Sequence, residues 1–135
     1  GGGAPSRTDV IDYRLIGADG VATDFGNLTA VGDSLMHGNI SDGNKAIWGP
    51  GEGRPADAFE YVTISTTGNA LDYGEMSEGR YAIGACSDGS RGIFAGGRDP
   101  SENVIDFFPI GKGGTALDFG NLTQARYGSA SFAGG

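Results

Sequence analysis

Few residues in this chain carry reactive groups, and their spacing limits what they can do. His37 is the sole histidine and Cys86 the sole cysteine. A histidine-rich metal site is therefore excluded, and a Ser-His-Asp triad would rest wholly on His37. His37 falls in an apolar strand that recurs later in the chain, which suits packing or a sheet edge. Cys86 holds the same strand one repeat on, where a buried, inert thiol is expected. A lone cysteine also excludes an internal disulfide and a multi-cysteine metal site, and leaves the redox compartment open. "DFG" at Asp24 shares its letters with a kinase triplet. The chain has no "HRD" and no glycine-rich loop with a lysine strand, so a turn role is expected instead. "GKGGT" at Gly111 lacks the spacing of a phosphate-binding loop. Asp19, Asp24, Asp42 and Asp88 lie in acidic turns and offer oxygen ligands of the kind Ca²⁺ takes. Their spacing matches neither an EF-hand loop nor the nonapeptide calcium repeat. The expectation is no catalytic residue, no cofactor and no resident metal, with Ca²⁺ the one ion these turns suit. "NLT" at Asn27 and Asn121 and "NIS" at Asn39 fit the glycosylation sequon, which matters only in a eukaryotic secretory source.

The elements that carry these residues repeat. "ATDFGNLTAVG" from Ala22, "ALDYGEMSEGR" from Ala70 and "ALDFGNLTQAR" from Ala116 align on Asp24, Asp72 and Asp118, at intervals of 48 and 46 residues. Each unit opens with an alternating apolar run: "VIDYRLI" from Val10, "FEYVTI" from Phe59, "VIDFFPI" from Val104. Period-two alternation marks a half-buried strand. A turn follows ("GADG", "STTGN" or "GKGG"), then a short strand ending in Asp-aromatic-Gly, where glycine relieves a backbone constraint. The third strand is small and apolar: "SLMHGNIS", "YAIGACS", "YGSASFA". In the first two units "SDGNK" or "SDGSR" leads to "AIWGPG" or "GIFAGG", and Asp-Gly between strand-like runs is a strong hairpin signal. Four short antiparallel strands in about 46 residues is the arithmetic of a propeller blade.

Composition agrees. Glycine fills 27 of 135 positions, a load that opposes helix and favours tight turns. The formal net charge of −8 argues against nucleic acid as a partner. No apolar run is long enough to span a bilayer as a helix, and "GGGAPSRTD" has no hydrophobic signal core. Since the chain does not start with methionine, processing or a window cut from a longer protein is expected.

"ARYGSAS" and "GRYAIGACSDGSRGIFAGG" resemble the kelch repeat: an arginine before a small-residue strand, a turn, a strand and a Gly-Gly doublet. More narrowly, "FEYVTISTTGNALDYG" with "RGIFAGG" is similar to kelch-like repeats in structural and tail-fibre proteins of marine bacteriophages. The resemblance covers three units, about 4–51, 52–97 and 98–135, the last incomplete. The first departs from the pattern, with Ser34 where Arg80 and Arg126 stand and "WGPG" in place of "FAGG". It implies an all-β fold of kelch-like propeller blades and a virion or extracellular location.

Placing Arg126 on Arg80 sets Gly135 opposite Gly89, so a fourth strand is missing. Matching Asp12 to Asp106 sets Gly2 and Gly3 opposite Gly96 and Gly97, just after that same strand. Alternatively, "SASFAGG" is itself the doublet strand after a deletion. Three blades are fewer than the four to eight of a closed propeller, so further repeats or further copies are needed. Arg80 and Arg126 are expected to be structural, binding backbone carbonyls or a carboxylate such as Asp72 or Asp118. A unique binding site would fall where the units differ. The candidates are Trp48, Glu52 and Arg54 in and around "GPGEGRPAD", and the turn around Met36 and His37. Two functions follow: a non-enzymatic structural protein, a propeller-type subunit that the resemblance places in a phage appendage or extracellular fibre and that assembles with its own copies, as a filament or ring, by inter-chain strand completion; or a propeller module, a fragment of a longer chain, that binds a host-surface glycan or protein.

Overall fold

The computed structural model describes residues 2–3, 6–31, 38–51, 55–98, 100 and 102–131. Among the described residues the chain is all β, with no helix. Its strands are β1 (Gly2–Gly3), β2 (Arg7–Thr8), β3 (Val10–Tyr13), β4 (Thr23–Asn27), β5 (Asn39–Ser41), β6 (Lys45–Trp48), β7 (Ala58–Thr63), β8 (Leu71–Glu75), β9 (Gly84–Ser87), β10 (Arg91–Ala95), β11 (Val104–Pro109), β12 (Gly114–Thr115) and β13 (Leu117–Asn121).

Two four-strand meanders dominate. One runs β5-β6-β7-β8 and the other β9-β10-β11-β13, antiparallel throughout, with neighbours in sequence lying beside each other. A third unit holds only β3 paired with β4, and β1 pairs with β2 in a separate short ladder. The hydrogen-bonded meander is half a unit out of phase with the sequence repeat. It joins the last two strands of one repeat to the first two of the next. The alternating runs that open the second and third sequence units are thus interior strands, which explains why β7 and β11 bury more of their residues than the short strands around them; β3 pairs only with β4 among the described residues.

The hairpins form where Asp-Gly places them. Asn39 pairs with Trp48 across β5 and β6, and Ala85 with Phe94 across β9 and β10, the same register 46 residues apart. In each turn a carboxylate oxygen accepts two backbone N–H bonds, Asp42 from Asn44 and Lys45, Asp88 from Ser90 and Arg91. Gly43 and Gly89 supply the positive φ at +85° and +83°. A bulge also recurs, between Ile11 and Asp12, Phe59 and Glu60, and Ile105 and Asp106.

The main core lies between the two meanders. Phe59, Phe94 and Phe108 are fully buried and meet edge to face, with centroids 4.5 Å, 4.9 Å and 5.6 Å apart. Each such ring contributes about 1.5–3 kcal/mol by burial. Ile40, Ile47, Ile83 and Ile110 fill the space around them. A smaller cluster of Phe25, Val62 and Ala70 joins the β3–β4 unit to the first meander.

Candidate functional site: the contact between successive units

The aromatic of each Asp-aromatic-Gly triplet packs against the aromatic two strand positions beyond the bulge. Tyr13–Phe25, Tyr61–Tyr73 and Phe107–Phe119 have centroids 5.7, 5.8 and 5.7 Å apart, all edge to face. Asp24 and Asp118 each accept the N–H of the triplet's glycine, at 3.1 and 2.9 Å, which turns the backbone at that point. Asp72 is exposed at the equivalent place. The glycines Gly26, Gly74 and Gly120 have φ of +150°, +150° and +135°.

These glycines do more than turn the strand. A Cβ on Gly26 would lie 2.2 Å from the carbonyl oxygen of Gly68, and one on Gly74 would lie 2.0 Å from that of Gly114. The next unit's backbone comes that close because it hydrogen-bonds along the strand. Gly68 and Ala70 donate to the carbonyls of Phe25 and Asn27 at 2.7 and 2.8 Å, and Ala116 donates to Glu75 at 2.7 Å. β12 runs parallel to β8 in the same contact. Ala70 and Ala116 are thereby buried.

Arg80 also links the two meanders. Its side chain is fully buried, as is that of Asp106 in the next meander, and the two meet at 3.0 Å. Nε donates to the Gly96 carbonyl at 2.8 Å and an NH group to that of Glu78 at 3.1 Å, while the Ser77 hydroxyl donates to the Asp106 carboxylate at 2.8 Å. A buried ion pair loses its hydration, and these additional bonds offset that cost. The carboxylate that meets Arg80 is therefore Asp106 and not Asp72. Tyr73 adds a bond from its hydroxyl to the Ile110 carbonyl at 2.7 Å. Burial raises its pKa above the ordinary value, so it stays a donor.

Near the start of each meander, equivalent residues stack directly. Ser87 Oγ donates to the Ser41 carbonyl at 2.9 Å, and Ser131 Oγ to the Ala85 carbonyl at 2.6 Å, each across 46 residues. The crowding accounts for small side chains here: a Cβ on Gly84 would sit 2.9 Å from Ser129 Oγ.

The outermost units show these positions without a neighbour in the described chain. Phe119 is 51% exposed, whereas its equivalents Phe25 and Tyr73 are 7% and 8% exposed. A Cβ on Gly120 meets nothing within 4 Å. Arg126 is exposed and its Nε reaches only the Gln124 carbonyl, at 3.4 Å. On the opposite face Asp12 and Ala22, equivalents of Asp106 and Ala70, are exposed, and Val21 is 94% exposed.

Trp48 ends β6, half-buried against the cluster of Phe25, Val62 and Ala70, so it stands in a sheet and not in the linker. Its indole N–H is buried without a hydrogen-bond partner among the described residues. His37, Glu52 and Arg54, with Ser34 and Met36, lie outside the described residues. Cys86 is half-buried in β9 as a free thiol. Among the described residues no group of three or more His, Cys, Asp or Glu side chains converges as metal ligands would. No described helix is long and apolar enough to cross a membrane. The residues that sequence reasoning missed are Asp106, Ser77 and the Gly68 and Gly114 backbones. Only the positional match of Asp12, Glu60 and Asp106 signalled any of them. A scan against protein-family models finds no family that matches the chain, and a search of curated proteins finds no match.

Proposed function

We propose that this chain is a non-enzymatic structural protein, a kelch-like propeller segment that serves as a subunit of a phage appendage or extracellular fibre and is completed by strands and edges of neighbouring copies. One observation carries the reading: a single set of unit-to-unit contacts recurs along the chain, and the two outer faces expose its two halves. Edges of this kind recruit another chain when nothing blunts them. A heterologous contact of this type closes into a ring or runs on as a filament. The kelch-like and phage components rest on the quoted repeats. Sedimentation of the purified chain over a concentration series, with electron microscopy of the heavy fractions, tests the reading. Rings or filaments are expected, and a monomer at every concentration is the opposing result.

The second reading is a module that binds a surface glycan or protein. A shallow cleft of about 230 Å³ favours it, lined by Tyr61, Asp72, Lys45 and Lys112 at the junction of the two meanders. Lys45 Nζ lies 6.0 Å from the Tyr61 ring centroid. An aromatic face beside charged groups is a common sugar-binding surface, and binding on a glycan array that weakens on Tyr61→Ala supports this reading over the first.

A further inference from the structure

The two exposed faces are complementary residue by residue, because each is half of a contact that the chain already makes internally. Within the chain, Gly68 and Ala70 donate to Phe25 and Asn27, and Ala116 donates to Glu75. Asn27, Glu75 and Asn121 hold the same position in successive units. Gly20, Val21 and Ala22 hold the positions of Gly68, Asn69 and Ala70. The Arg80–Asp106 pair likewise has an exposed counterpart on each face, Arg126 on one and Asp12 on the other.

We propose that a second copy of this chain docks head to tail, with its Gly20–Ala22 segment running parallel along β13 and its Asp12 receiving Arg126. In this register Gly20 and Ala22 of the second copy donate their N–H groups to the carbonyls of Phe119 and Asn121. Gly120 leaves room for the incoming backbone as Gly26 and Gly74 do. Phe119 becomes covered as Phe25 and Tyr73 are. Arg126 swings from the Gln124 carbonyl onto Asp12, beside the Thr123 hydroxyl, which stands where Ser77 stands in the buried pair. Two further features favour a second copy over an unrelated partner. The opposite charges of Arg126 and Asp12 meet in this register, and both faces continue a contact whose geometry is already realised inside the chain. The inference rests on the assembling-subunit reading above and adds the residues and register of the contact.

Charge exchange tests it. Asp12→Arg and Arg126→Asp alter exposed side chains of the single chain, so each variant keeps the wild-type circular dichroism spectrum and melting profile at low concentration. Each alone is expected to raise the dissociation constant for self-association by about 30-fold or more. An equimolar mixture of the two restores assembly, since every junction then offers one arginine to one aspartate. Ala22→Glu gives an independent variant, exposed in the single chain and covered in the assembly, that blocks association with no rescue by either charge variant. If the wild type assembles and the charge variants assemble equally well, the register is overturned and the assembling-subunit reading survives. A wild-type chain that stays monomeric at every concentration assigns these faces to other repeats of a longer polypeptide and overturns both.

Discussion

Arg80 and Arg126 are the same residue in two environments, and the difference isolates what the junction contributes. Arg80→Ala leaves the Asp106 carboxyl fully buried with its guanidinium partner gone, so unfolding free energy falls by about 3–5 kcal/mol. Arg126→Ala removes an exposed side chain and changes the stability of the single chain by less than about 0.5 kcal/mol. Urea denaturation of both variants checks the contrast, and equal losses contradict the structural role of the Arg80 pair. The repeated glycine behaves in the same way. Gly120→Ala costs about 1–2 kcal/mol from its left-handed backbone alone. Gly74→Ala adds a clash with the Gly114 carbonyl and loses at least about 2 kcal/mol more.

The hairpins are where pH enters. Asp42 and Asp88 are both held below the ordinary carboxylate value of 3.8, chiefly by the backbone N–H groups of Lys45 and Arg91. A carboxyl with a lowered folded pKa adds stability that is complete above the unfolded value. That stability shrinks as pH falls below 3.8 and is gone beneath the folded pKa. The urea midpoint is therefore expected to hold steady from neutral pH down to about 5 and then to drop. Asp88→Asn should flatten part of the drop, and an unchanged acid limb would exclude the turn as its source. Packing between strands is tested by Phe94, which is fully buried between the two meanders. Phe94→Ala should cost about 3–5 kcal/mol, far more than Phe119→Ala on the outer face.

At the scale of the whole molecule, stability comes from neighbour-to-neighbour contacts along an array, and an end unit lacks one neighbour. If copies associate as proposed, the exposed faces are covered and the melting temperature should rise with protein concentration. Calorimetry over a concentration series reads this directly, and a concentration-independent transition argues against the assembling subunit. The half-unit offset bears on the same point. Each meander draws two strands from each of two successive sequence repeats, so neither repeat can complete a meander without the next.

The sequence by itself determined the Asp-Gly hairpins, the all-β class and most of the strands, because alternation and turn chemistry act over a few residues; the strand expected over "YGSASFA" is not formed at residues 127–131. It also marked Asp24, Asp72, Asp118, Arg80 and Arg126 as repeated positions. It did not reveal the phase of the meanders, since a strand between two others reads the same whichever neighbour begins the sheet. Nor did it reveal that Arg80 meets Asp106, which lies 26 residues away and in another meander. The approach of Gly114 to Gly74 was hidden for the same reason: a glycine in sequence records freedom, and only the tertiary structure decides what comes close enough to need it.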